Sequence, residues 1–115
     1  MQFDEDLCRY TFDYDNLIFV WDEEPEGDWQ DMIEKLACNY YKHLNSIIEF
    51  MMSDLVEIYG NISIEDIKKQ LGKPLIDYDN GQVTYLEQTF DNEHIFSFEF
   101  LDDKFEDLQY FSIDG

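Results

Sequence analysis

Two histidines, two cysteines and a large surplus of carboxylates are the groups of this chain on which chemistry could rest. A nucleophilic hydrolase needs a Ser or Cys, a His and an acid within hydrogen-bond reach of one another, and only His43 and His94 are available as the base. His43 falls inside a long amphipathic stretch beside Leu44, the setting of a helix-surface or core histidine. His94 opens an apolar run next to a polar turn, the setting of an exposed turn residue. No G-x-S-x-G elbow, glycine-rich phosphate loop or H-E-x-x-H sequence occurs. Carboxylate pairs such as Asp13/Asp15, Asp77/Asp79 and Asp102/Asp103 suit the acid and base of glycoside hydrolysis, yet 28 acids in 115 residues make close pairs common by chance. Asp77-Tyr78-Asp79-Asn80-Gly81 lacks the third alternate oxygen ligand and the distal Glu of a calcium loop. Cys8 and Cys38 are too few for a disulfide framework and lack the companions of a zinc site, so two buried or free thiols are expected. The chain is therefore expected to be no enzyme and to use no cofactor or metal.

Charge is the dominant feature. The net value is −21, where small domains ordinarily sit within single digits of neutrality. Residues 1 to 31 carry a balance of −10 and residues 74 to 115 another −10, while residues 32 to 73 carry only −1. Hydrophobic residues at 44% and aromatics at 17% exclude an acidic disordered tail, so the charge decorates a folded object. A chain of 115 residues fits one domain, residues 1 to 115. The acidic start Met1-Gln2-Phe3-Asp4-Glu5-Asp6 is no secretory signal, and no apolar run approaches the roughly 20 residues that cross a bilayer. Residence in the cytoplasm, away from membranes, is expected.

The elements that position these charges follow from periodicity. Residues 7 to 12 and 16 to 21 are β-branched and aromatic around Asp13-Tyr14-Asp15, which predicts a hairpin. The run from Asp22 to Gly27, interrupted by Pro25, is a loop. Asp28 is placed to cap a helix whose apolar stripe runs through Trp29, Met32, Ile33, Leu36, Tyr40, Leu44, Ile47, Ile48, Met51, Leu55 and Ile58. A single helix of that length would span roughly 48 Å, so a break is expected, near Asn45-Ser46 or Ser53. Ser63-Ile64-Glu65-Asp66 has the form of a capping signal for a short second helix ending at Gly72. Asn80-Gly81 marks a second hairpin. Residues 94 to 100 and 106 to 113 add further strands, with turns at Asp91-Asn92-Glu93 and at residues 101 to 104.

The fold class read from this order is α+β. A two-layer sandwich is expected, its antiparallel sheet having about five or six strands in the order ββ-α-α-ββββ or ββ-α-α-βββ and its helices on one face. Because the near-neutral middle is the helical layer, the acidic excess falls on the sheet side, its turns and the Asp22 to Asp28 loop. A field of that sign attracts cationic surfaces and repels nucleic acid. The residues assigned to partner binding are the acidic turns, Asp22, Glu23, Glu24, Glu26, Asp102, Asp103, Glu106 and Asp107. To these are added Trp21, Tyr85 and Tyr110, each of which joins a large apolar area to a polar handle. The other aromatic residues are expected to be mostly core.

The acidic ββ start, the amphipathic helix, the Ile62-Ser63-Ile64-Glu65-Asp66-Ile67 helix start and the closing run from Phe105 to Gly115 together give a recognisable layout. In layout and charge the chain resembles small bacterial proteins of the DUF2262 kind and the immunity proteins of polymorphic and contact-dependent toxin systems. The resemblance implies an acidic protein that covers the active site of a basic toxin nuclease; it assigns no individual residue. Two further readings stand beside a neutraliser of a basic protein: a nucleic-acid mimic that blocks a DNA-binding enzyme, and an acidic domain whose charge only maintains solubility. Direct nucleic-acid binding is not expected.

Overall fold

Phe96, Phe98 and Phe100 alternate with Ser97 and Glu99, and in the computed structural model the three rings are buried while the residues between them are only partly covered. The structure describes residues 1 to 91 and 93 to 114. The described residues form seven strands: β1 (Gln2–Asp4), β2 (Arg9–Tyr14), β3 (Leu17–Trp21), β4 (Pro74–Asp77), β5 (Gln82–Tyr85), β6 (Ile95–Phe100) and β7 (Leu108–Asp114). They lie side by side in chain order in one sheet. Between β3 and β4 the chain leaves the sheet to form α1 (Trp29–Lys42), α2 (Leu44–Tyr59) and α3 (Ile64–Gln70). Leu17, Phe19, Ile76, Val83 and Tyr85 of the sheet meet Ile33, Leu36, Ile47, Met51 and Leu55 of the helices in one continuous core.

The expected α+β two-layer sandwich with helices on one face is what forms. Its details differ from expectation in three places. The sheet has seven strands because the three-residue β1, too short for an alternation to be read, pairs Phe3 with Tyr10. One junction is parallel: β3 pairs with β4 through Ile18 and Leu75, Phe19 and Ile76, and Val20 and Asp77. The helices carry the chain from the C-terminal end of β3 back to the end at which β3 begins, so β4 runs parallel to it. The long helix breaks at His43, not at Asn45-Ser46 or Ser53. There the backbone turns to φ −107° and ψ 13°, and His43 is the last cap of α1 and the first of α2. The His43 ring Nδ1 lies 3.1 Å from the carbonyl of Asn39 that its own backbone amide also reaches, so ring and amide converge on one acceptor. The apolar stripe stops at Leu55; Ile58 is exposed and Tyr59 turns inward to stack on Phe90 at 4.9 Å.

Turn chemistry sets the register elsewhere. The first hairpin turns at Asp15-Asn16, both with positive φ, the two-residue loop that matches strand twist; the expected turn lay two residues earlier. Ser63 and Asp66 form the expected reciprocal cap of α3. In β7 the apolar residues are Leu108, Phe111 and Ile113, whose spacing does not fit strict alternation. A bulge at Tyr110, where φ is +55°, absorbs the extra residue between Gln109 and Ser112 and lets all three face the core. The tyrosine ring is left 73% exposed.

Tyr85 was expected at the surface and is instead fully buried, because β5 lies in the middle of the C-terminal meander beneath α1. Its phenol is 2.7 Å from that of Tyr40, each oxygen having the other as partner. Burial pushes the ionisation of both phenols well above the ordinary tyrosine value. Tyr85→Phe strands the Tyr40 hydroxyl in the interior and is expected to cost about 1 to 3 kcal/mol. Tyr40→Phe/Tyr85→Phe removes both polar groups together and should recover most of that loss. Urea denaturation of the two single variants and the double variant measures the cycle; strictly additive losses would contradict the mutual pairing.

Candidate functional site

The parallel junction has a geometric consequence at the C-terminal ends of β3 and β4. After Trp21 the chain rises toward the helices, and after Asp77 it turns back into β5, so the two exits diverge. Between them opens a hollow of about 630 Å³. Trp21 and Trp29, edge to face with centroids 5.7 Å apart, form its floor with Met32. Glu23, Glu24, Glu26, Asp28 and Asp79 stand at its rim. Asp28 occupies the cap position of α1 but makes no side-chain capping bond, so its carboxylate is available to the hollow.

Tyr78 joins this hollow to the second acidic loop. It lines the first hollow and also a smaller one of about 210 Å³ together with Gly81, Leu101, Asp102 and Asp103. The charge of Asp103, then burial, then the nearby Asp79 hold the Tyr78 phenol protonated above its ordinary range. Gly81 permits the approach: it has φ +63°, its carbonyl accepts from the Phe100 amide at 2.9 Å, and a Cβ there would sit 2.8 Å from the Phe100 carbonyl oxygen. Acidic loops some eighty residues apart in sequence therefore share one end of the sandwich.

The assigned residues separate into three groups. Some carboxylates are engaged in holding the site together. Asp22 pairs with Arg9 Nε at 3.3 Å. Asp102 Oδ1 accepts from the Glu106 amide at 3.0 Å and the Asp107 amide at 3.5 Å, shaping its loop, and Glu106 faces His43 Nε2 at 3.7 Å. Asp103 lies beside Tyr78. A second group, Glu23, Glu24, Glu26 and Asp107, is exposed and has no cation within 4 Å among the described residues. Of the aromatic assignments, Tyr110 is exposed, Trp21 is 3% exposed and serves as floor, and Tyr85 takes no part in any surface. Leu101, 58% exposed at the start of the second loop, was not singled out in the sequence, where nothing distinguishes it from a core leucine.

The open face of the sheet is less acidic than expected. Among the described residues only the carboxylates of Asp4, Asp13, Asp77, Glu99 and Asp114 lie in strands. Asp77 is buried and neutralised: it accepts from Arg9 Nη1 at 3.0 Å, the Asn80 amide at 3.1 Å and Asn80 Nδ2 at 2.7 Å. Asp13 is held by Lys73 at 3.2 Å. The excess is concentrated in the loops because strands must pair, and like charges directly opposite one another oppose pairing.

The two histidines bind structure together. His43 shares a hollow of about 320 Å³ with Ser46 and Glu106. Its Nδ1 is directed to the Asn39 carbonyl and its Nε2 to Glu106, so neither nitrogen is set to take a proton from Ser46. His94, expected as an exposed turn residue, is half-buried in a network. Its Nδ1 lies 2.7 Å from Asp91 Oδ2, the same oxygen to which Tyr59 donates at 2.5 Å, while Asp91 Oδ1 accepts from Gln88 and from the amides of Glu93 and His94. The turn expected at Asp91-Asn92-Glu93 includes Asn92, which lies outside the described residues. Cys8 and Cys38 are free and exposed. Among the described residues no group of three or more His, Cys, Asp or Glu is placed to hold a metal ion, and no helix is long and apolar enough to cross a bilayer.

Compared with family models, with curated proteins and with solved structures, the chain finds no match.

Two measurements test this construction. Arg9→Gln leaves Asp77 buried without its cation and is expected to cost about 2 kcal/mol in urea denaturation; a loss under a few tenths would reduce Arg9 to a surface decoration. The Tyr59 phenol first, then His94, Gln88 and Glu93, hold the Asp91 carboxyl well below the usual carboxylate range. A carboxyl depressed in the folded state contributes stability above its unfolded value, near 4, and that contribution is lost as pH falls toward the folded value. The stability difference between the parent and Asp91→Asn should thus be greatest at neutral pH and shrink below about pH 4; a difference constant from pH 7 to pH 3 would refute the network's role.

Proposed function

We propose that the chain is a non-catalytic protein-binding domain that acts in the cytoplasm as an immunity protein, its acidic end covering the basic active-site surface of a toxin nuclease. One observation carries this reading: two acidic loops distant in sequence meet through Tyr78 at a single end of the fold, around a hollow with an aromatic floor. Carboxylates at a rim steer a cationic partner and suppress wrong ones. An indole and phenol floor suits the flat face of an arginine or the shaft of a lysine. Leu101 and Tyr110, both exposed and both bordering the second loop, offer apolar anchors ringed by charge, the arrangement in which a few residues dominate affinity.

A nucleic-acid mimic needs carboxylates ordered in two long rows. The strand-borne acids are few, two of them are paired with Arg9 and Lys73, and five loop carboxylates, Glu23, Glu24, Glu26, Asp28 and Asp79, stand around a concave site. That distribution favours a protein partner.

Tyr110 offers a separable test. Its left-handed backbone costs a bulky residue roughly 1 kcal/mol, partly offset in a glycine variant by the greater freedom of the unfolded chain. Tyr110→Gly should therefore be at least as stable as the parent by thermal melting, and it should bind the partner about tenfold or more weakly. The partner is first obtained by capture from the source cell's lysate, with elution by a salt gradient. Reversal of Glu23, Glu24, Glu26 and Asp107 to Lys, residues whose side chains have no cation within 4 Å among the described residues, should weaken binding about a hundredfold, chiefly through the association rate, while leaving the melt unchanged. Unchanged affinity in that folded variant sinks the assignment of this end.

A further inference from the structure

Seven basic residues are spread over this chain, and three of them, Lys68, Lys69 and Lys73, line one hollow of about 300 Å³ at the N-terminal end of β4. In a molecule of net charge −21 its lining carries three cations and no carboxylate, unlike the hollows at the acidic loops. It lies at the opposite ends of β3 and β4 from the acidic loops: Asn16 precedes β3 and Lys73 precedes β4, whereas the acidic hollow opens after Trp21 and Asp77. Its inner surface is apolar and aromatic, made by Tyr40, Leu44, Leu71 and Pro74.

The walls are fixed before any ligand arrives. Gly72 has φ +74°, and a Cβ on it would lie 2.6 Å from the Glu87 carbonyl oxygen, so the turn carrying Lys73 is pressed against the chain that follows β5. The Thr89 amide donates to the Gln70 carbonyl at 2.7 Å and fastens the same contact. On the far side the Tyr41 hydroxyl donates to the Asp15 carbonyl at 2.5 Å, closing α1 onto the β2–β3 turn. Of the three ammonium groups, Lys68 is 3.5 Å from Glu65 and Lys73 is 3.2 Å from Asp13, each with donors to spare. Lys69 has no carboxylate within 4 Å among the described residues. Lysines in the last turn of α3 also complement its dipole, but Lys73 lies beyond the helix and gains nothing from it.

We propose that this hollow is a binding site for a small organic phosphate, its anionic head held by Lys68, Lys69 and Lys73 and its apolar body against Tyr40, Leu44 and Pro74. Ammonium groups act on phosphate as mobile point charges with several donors, and the volume is at the lower end of pockets that enclose small ligands. The site is independent of the acidic end and stands or falls separately from the function proposed for it.

Amide chemical shifts of the full chain test it, at about 0.1 M salt so that the field of the distant carboxylates is screened beyond about 10 Å. Phenyl phosphate serves as the probe, inorganic phosphate as the head alone and benzyl alcohol as the body alone. Saturable shifts at Leu71, Gly72 and Lys73 with phenyl phosphate are expected, at an affinity about tenfold tighter than either fragment. Lys68→Gln/Lys69→Gln, two substitutions on the helix surface, should weaken that affinity at least about fivefold while the remaining amides keep their positions. Absence of a saturable shift up to about 10 mM probe overturns the proposal, as does equal affinity in the double variant. If inorganic phosphate binds as tightly as phenyl phosphate, the apolar wall plays no part and the organic ligand class is wrong.

Discussion

The seam between β3 and β4 is the constraint on which the rest of the molecule depends. It joins an N-terminal β-meander and a C-terminal one, each drawn from a stretch of sequence with a balance near −10, by three residue pairs of parallel sheet. Coulomb repulsion between two such halves opposes their meeting. The helical layer offsets it from one side, since Phe19 and Ile76, adjacent across the seam, are both buried beneath the helices. From the open side the offset is electrostatic. Arg9 reaches from β2 over β3 to Asp77 in β4, and Lys73 reaches from the start of β4 over β3 to Asp13 in β2. Val20, between these two spans on β3, is 1% exposed although no helix covers that face. The Arg9 bridge is the stronger, because Asp77 is buried and Asp13 is solvated.

The seam also decides where recesses open. Hairpins close the ends of antiparallel strands, and a parallel pair cannot be closed that way. At its C-terminal ends the β3 exit and the β4–β5 turn splay apart and leave the acidic hollow; at its N-terminal ends the β2–β3 turn and the exit of α3 splay apart and leave the basic one. Two recesses of opposite lining thus arise from a single topological feature. Charge then differentiates them: the loops that leave the C-terminal ends are tied to no regular partner and can carry acids freely, while the N-terminal side receives the last turn of α3, where lysines are favoured.

Much of this architecture was legible in the sequence because it rests on local signals. The aromatic alternation of residues 96 to 100, the Ser63 and Asp66 cap and the Asn80-Gly81 turn each specify their own geometry within a few residues. The helix break was expected on length and misplaced, since what positions it is the meeting of the His43 ring with the Asn39 carbonyl, not a weak helix former. The bulge at Tyr110 was implicit in the mismatch between Leu108 and Phe111 yet fixed only by the register against β6. The acidic loops could be named one by one; that they converge depends on Gly81 lying against Phe100 and on Tyr78 standing between them, both contacts across the sheet. Tyr85 shows the reverse case: a polar handle suggested exposure, and a second phenol on α1 supplied its partner inside the core.

A fold that carries most of its acidic excess in loops gains freedom to vary it. The strand carboxylates Asp77 and Asp13 are held by Arg9 and Lys73, whereas the side chains of Glu23, Glu24, Glu26 and Asp107 have no cation within 4 Å among the described residues. Substitutions there leave the core and the seam untouched, so the rim of the hollow can change without reopening the problem of folding two like-charged halves. The division is visible at the hollow itself: the aromatic floor of Trp21 and Trp29 and the Tyr78 joint are set by packing, and the side-chain charges at the rim are not. Asp22, Asp91 and Asp102 lie on the other side of that boundary, since each is a loop acid already committed to the scaffold, by Arg9, by Tyr59 and His94, or by its own turn.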